Sequence, residues 1–190
     1  MSSNTEVNLS HLVSEMTTIA DNAHLSFGNL SAHQLNWKPS AEDWSIGQCF
    51  DHLTAANKAY IPIIEQVISG KKQRTFWEQI PLLSKIFGKL LIKYLSPQST
   101  WKLKAPELFK PSNSSIDEVI ISRFIEHQKH LILLIKRTEG LNLRQIKITS
   151  PTVRFITYSM IDGYEIIAVH EKRHFQQAER VLGAKGFPGK

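Results

Sequence analysis

Cys49 is the only cysteine in this chain of 190 residues. A lone thiol cannot close an intramolecular disulfide, which agrees with a reducing compartment. The first eight residues, Met1 to Asn8, are polar and lack the basic-then-apolar order of a secretory leader. No run of 18 clean apolar residues suggests a spanning helix. A soluble, cytoplasmic protein is expected. Internal repeats and low-complexity tracts are missing, and almost nothing reads as a convincing strand.

With 42% apolar residues the chain can build a core. Its length suits a single domain, 1–190, with an insertion at about 71–114. The formal charge of +6 is unevenly placed. Residues 71–114 hold nine basic side chains (Lys71, Lys72, Arg74, Lys85, Lys89, Lys93, Lys102, Lys104 and Lys110) against Glu78 and Glu107, which leaves the rest of the chain one charge negative. A basic surface can draw in phosphates or anionic lipid. Confinement to one segment argues against a nucleic-acid-binding protein.

Apolar residues at three- and four-residue steps, from Leu9 through Met16, Ala23 and Phe27 to Leu30, predict an amphipathic helix over about 5–30. Ser45 is placed to cap a second helix, striped by Ile46, Cys49, Phe50, Leu53, Ala56, Tyr60, Ile64 and Val67 and ended by Gly70. Pro62 predicts a kink or break near Lys58. Residues 71–114 read as an inserted subdomain, with a short helix in the apolar patch Ile80 to Leu95 interrupted at Gly88. Ser114 or Ser115 caps the next helix, with Asp117 and Glu118 in its first turn and Gly140 at its end. A connection over 141–156 leads to a fourth helix from about Thr157 to Leu182, closed by Gly183. The expected fold is all-α, an up-and-down four-helix bundle with the insertion between helices two and three.

The run His170-Glu171-Lys172-Arg173-His174 carries the chemistry. Four residues apart on one helix, the two imidazoles share a face and can point at one metal ion. They lie at the edge of the helix's apolar side, with Glu171 in the middle of it. The string also fits the H-E-x-x-H pattern of zinc peptidases. Those enzymes take a third ligand downstream, however, and only sixteen residues follow His174, none of them His. The better third ligand is upstream: His52, on the flank of the second helix beside the small residues Cys49, Ala56 and Ala59. Three imidazoles leave a position for water or substrate, the arrangement of a catalytic zinc site.

Leu35-Asn36-Trp37-Lys38-Pro39, then Trp44-Ser45-Ile46-Gly47-Gln48 and Asp51-His52-Leu53, resemble the opening signature of the DinB-like superfamily of four-helix proteins. Thr149-Ser150-Pro151 and His170-Glu171-Lys172-Arg173-His174-Phe175-Gln176-Gln177 resemble its closing segment, in which two histidines and a following glutamine share a helix. The resemblance implies that His52, His170 and His174 match the family's three metal-binding histidines. Members with known activities are thiol-dependent transferases or isomerases using low-molecular-weight thiols, and many others have no established reaction. It therefore implies a small-molecule substrate and a divalent metal, zinc or nickel. The basic insertion departs from the short connection expected between helices two and three, and can reshape the mouth of the site.

Other residues take plainer readings. His127 and His130 have metal-compatible spacing, but His130 points away from the apolar stripe and both are expected in solvent. Gln128 sits in the centre of its stripe as a buried amide or a pocket-lining residue. Glu171 is expected to pair with a buried-edge Arg or Lys rather than to act as a general base. Asn57 and Tyr60 can reach the cavity, and Trp37, Trp44, Trp77 and Trp101 are packing residues. Lys85, Lys89 and Lys93, spaced by four, give the Ile80 to Leu95 segment a basic face suited to an anionic membrane surface. Covering the bundle or making a homodimer contact is preferred. The function expected is a metal-dependent thiol S-transferase, with a metal-dependent hydrolase or a non-catalytic stress-response or binding protein as the alternatives.

Overall fold

The computed structural model describes residues 3–100, 106, 109–111 and 115–189, with backbone alone at 3–8, 81 and 82. The fold is mostly helical with one small sheet. In chain order it runs α1 (Ser3–Phe27), α2 (Ala32–Asn36), α3 (Ile46–Lys58), α4 (Ile61–Ile68), a 3-10 turn (Trp77–Gln79), α5 (Pro81–Leu95), α6 (Ile120–Lys136), β1 (Lys147–Thr149), β2 (Thr157–Ser159) and α7 (Met160–Leu182). No described helix is long and apolar enough to cross a membrane.

Local chemistry sets the helix ends. Ser45 caps α3 as expected: its Oγ accepts the Gln48 N–H at 3.2 Å while Gln48 Oε1 accepts the Ser45 N–H at 3.2 Å. The predicted second helix breaks between α3 and α4, where Pro62 stands in the first turn of a new helix and cannot bond back into the old one. Gly70 then turns the chain with φ 68°, a left-handed conformation open to glycine. Two boundaries differ from expectation. Ser115 does not cap α6, and Ser114 lies outside the described residues. The helix starts at Ile120, after Asp117 Oδ1 accepts the Val119 N–H at 3.2 Å in an Asx turn. Residues 157–159 are a strand rather than helix: Ile148 pairs with Tyr158 in an antiparallel hairpin, and α7 begins after Ser159, whose hydroxyl accepts the Asp162 N–H at 3.2 Å.

Nor does Gly88 interrupt α5, which is continuous. A Cβ at Gly88 would lie 2.7 Å from Asp162 Oδ2, so the glycine lets α5 approach the start of α7. Helix α5 packs along α7 and β2, with Ser84, Gly88, Leu91, Ile92 and Leu95 turned inward. A second tie holds the preceding segment. Glu78, its side chain fully buried, accepts from Lys72 Nζ at 2.7 Å and from Thr149 Oγ1 of β1 at 2.7 Å.

Helices α1 and α3 each pack against both α6 and α7. The apolar interior between them falls into two clusters. One holds Met16, Tyr60, Leu131, Tyr164 and Ile167, and the other holds Ile19, Phe50, Leu53, Phe124 and Phe175. A buried polar residue marks the division along three stretches of the chain. Asn57 separates Leu53 from Tyr60, Gln128 separates Phe124 from Leu131, and Glu171 separates Ala168 from Phe175. All three are buried, so a polar layer crosses the core.

Candidate metal centre

At the edge of that layer α3 presents His52 and α7 presents His170 and His174, one turn apart. Their ligand-capable nitrogens lie within 4.8 Å of one another. The Nε2 atoms of His52 and His170 are 3.1 Å apart. Tetrahedral coordination at a metal–nitrogen distance of about 2.05 Å places two ligands about 3.3 Å apart, so this spacing fits one ion. The ring centroids are 5.0 Å apart for His52 and His170, and 4.6 Å for His174 with either of the others.

Two of the rings are held from behind. His52 Nδ1 lies 2.6 Å from the carbonyl oxygen of Phe109, which can only accept, so Nδ1 carries the hydrogen and Nε2 keeps its lone pair toward the cluster. His174 Nδ1 meets Gln177 Oε1 at 2.9 Å, an orientation with the same consequence. Such outer partners fix the tautomer and ring angle of metal-binding histidines. Trp44 covers the site, stacked on His174 at 5.4 Å and 16° and tilted against His52 at 4.9 Å.

Electrostatics keep the three rings neutral, the form in which imidazole binds metal. Burial, and then the neighbouring imidazoles, hold His170 well below the ordinary histidine range. Burial pushes His174 down to about 3, and it lowers His52 against the opposing pull of the Phe109 carbonyl. Arg173, between the two α7 histidines, donates from Nη1 to the carbonyls of Tyr94 at 3.1 Å and Ser96 at 3.3 Å, which ties the end of α5 beside the cluster.

Glu171 does not make the expected ion pair. Its two oxygens accept from Asn57 Nδ2 at 2.7 Å and Gln128 Nε2 at 2.6 Å. Burial pushes the carboxyl up to about 8 against those two donors. Gln128 is a buried amide that also donates to the Met16 carbonyl at 3.4 Å, and among the described residues its Oε1 has no partner. Asn57 thus reaches the polar layer, while Tyr60 instead meets the Tyr158 hydroxyl at 2.8 Å.

Other expectations are corrected. His130 is exposed as anticipated, but His127 is buried, its Nε2 unpartnered among the described residues and its pKa pushed down to about 4 by burial and by Lys58. It precedes Gln128 on the buried side of α6 and is not among the three clustered histidines. Trp37 packs edge-on against Phe187 as expected. Trp44 belongs to the site, however, and Trp77 is 40% exposed rather than packed away; Trp101 lies outside the described residues. The Phe109 carbonyl and Trp44 are the two groups that sequence reasoning missed. Trp44 carried a signal, since it precedes the Ser45 cap of the helix that bears His52 two turns on. A backbone carbonyl carries none.

Cys49 is fully buried, and burial pushes its thiol up to about 12. It is therefore no nucleophile at neutral pH. No curated protein and no solved structure matches the chain. The profile of the DinB superfamily matches residues 16–178, a span that contains His52, His170 and His174, and the chain belongs to that superfamily.

Proposed function

We propose that the protein is a metal-dependent enzyme that transfers a low-molecular-weight thiol to a small electrophile, with His52, His170 and His174 holding one divalent ion, zinc or nickel. The observation that carries this reading is the convergence of three neutral imidazoles from two helices, two of them braced at Nδ1. We read α1, α3, α6 and α7 as an up-and-down four-helix bundle that brings α3 and α7 side by side at the site. A divalent metal there supplies Lewis acidity, which brings the pKa of a thiol near it toward neutrality.

The chain's own residues orient and exclude. The Phe109 carbonyl and Gln177 aim two rings, Trp44 keeps water from one side, and the Asn57–Glu171–Gln128 layer fixes the rotation of α7. Because the Cys49 thiol is buried and protonated, the reacting thiol has to come from substrate. Both oxygens of Glu171 are engaged by amides, which supports thiol transfer over a hydrolase in which that carboxylate would activate water. We place the protein in the cytoplasm, where such thiols are abundant and Cys49 stays reduced.

The test is a transfer assay with the zinc- or nickel-loaded protein, a panel of small thiols and an electrophilic chromophore. Turnover that depends on added thiol, survives Cys49→Ala and is lost in His170→Ala supports the reading. A metal-loaded protein that hydrolyses esters or amides without thiol would replace it with the hydrolase. Metal uptake with neither activity would favour a binding protein.

A further inference from the structure

The segment over 71–95 and the hairpin connection assemble a surface that no single stretch of sequence displays. Rings from three places meet there. Phe76 and Trp77 lie 5.4 Å apart, Trp77 and Phe155 6.5 Å, and Phe87 and Phe155 6.5 Å. Three of them are open to solvent, Phe76 at 70%, Trp77 at 40% and Phe155 at 51%. Helix α5 continues the patch with Ile86 at 50% and Leu90 at 38% exposure, on the side opposite its packed residues.

Around this apolar centre stand Arg74, Lys85, Lys89 and Arg154, all exposed. Among the described residues no salt bridge joins any of the four to a carboxylate. Desolvation lowers the Lys147 pKa against the pull of Asp162, and Lys85 and Arg74 add smaller contributions in the same downward direction, so these cations share one neighbourhood. Apolar and aromatic side chains within a basic rim are the composition of an interfacial anchor: the rings enter the headgroup region and the cations meet lipid phosphates.

We propose that this face docks the protein on an anionic phospholipid bilayer, with Trp77, Phe76, Phe155, Ile86 and Leu90 inserted and Arg74, Lys85, Lys89 and Arg154 on the headgroups. Two other occupants fit less well. Single-stranded nucleic acid needs open ring faces for stacking. Here the exposed surface also holds the aliphatic Ile86 and Leu90, which offer nothing to a base. A second copy would set one basic rim against another, which costs rather than contributes.

The experiment is flotation of the full-length protein with phosphatidylcholine vesicles, with and without roughly a third phosphatidylserine, at an ionic strength near 0.15 M. Binding is expected only on the anionic vesicles, with a blue shift of tryptophan emission that Trp77→Phe removes. It should weaken about 30-fold in Lys85→Ala/Lys89→Ala, about fivefold for each lysine. In about 1 M salt, where the screening length is about 3 Å, it should be lost. Both lysines are exposed, so the double variant folds, and its circular dichroism checks this. Failure of the folded wild-type protein to bind anionic vesicles overturns the proposal. So does equal binding to neutral vesicles, a dimer that Ile86→Glu dissociates while vesicles stay unbound, or capture by oligothymidylate in place of vesicles.

Discussion

His52 Nδ1 and the Phe109 carbonyl oxygen are 2.6 Å apart, a bond between a residue of α3 and a residue 57 positions later. The segment read as an insertion that can reshape the mouth of the site thus braces one of its rings. Together with the carbonyls of Tyr94 and Ser96 that receive Arg173, it makes Tyr94, Ser96 and Phe109 of that segment part of the support of the histidine cluster. Replacing 71–114 by a short flexible linker should leave the helical circular dichroism of α1, α3, α6 and α7 in place. Zinc affinity, read by titration against a competing chelator, should fall about 10- to 100-fold, as is usual when a histidine ligand loses its outer partner. Unchanged affinity would show that the carbonyl does not matter.

Glu171 receives one amide from Asn57 and one from Gln128. In Glu171→Gln one of those amides faces another amide N–H, and an unsatisfied buried donor costs about 1–3 kcal/mol. Chemical denaturation should show that loss, with weaker zinc binding as α7 loses its fixed rotation. The exchanged pair Gln128→Glu/Glu171→Gln again sets one amide against one carboxyl and should recover part of both. A single variant as stable as the wild type would mean that the layer is not held by these bonds.

Trp44 stacks on His174 and leans on His52. Aromatic contacts of this kind contribute about 0.5–1.5 kcal/mol. Trp44→Ala should therefore weaken zinc binding about two- to tenfold while leaving the stoichiometry unchanged, as read by calorimetric titration. An unaltered affinity would reduce Trp44 to a surface cover.

His127 gives a pH dependence. Burial, with Lys58 and His130 nearby, holds its folded pKa at about 4, below the ordinary 6.5. Between those values the unfolded chain binds a proton at this ring that the folded chain refuses, so stability falls as pH drops from about 6.5 toward 4. Above about 6.5 both states are neutral and the slope vanishes. The difference in urea midpoint between wild type and His127→Leu should be constant above about pH 6.5, and the wild type should fall relative to the variant as pH drops toward 4. Parallel curves would rule His127 out.

The helices and the three histidines were legible because both rest on side-chain periodicity. The i, i+4 spacing of His170 and His174 and the flank position of His52 survive into the structure unchanged. The hairpin was not legible. Thr157, Tyr158 and Ser159 are too few to alternate, and only pairing with Lys147–Thr149 makes them a strand. His127 lay within reach: Phe124, His127, Gln128 and Leu131 follow steps of three, one and three, which puts the ring on the buried face. The aromatic patch was hidden because Phe155 joins Trp77 and Phe87 only through tertiary packing.

The central claim is that His52, His170 and His174 hold a metal. It is tested most directly by elemental analysis of protein purified without a histidine tag or chelator, beside the double variant His52→Ala/His170→Ala. The account predicts about one zinc or nickel per chain in the wild type, one ion for one three-imidazole site, and none in the variant. Wild-type protein that carries no metal and takes up neither added zinc nor added nickel would contradict it.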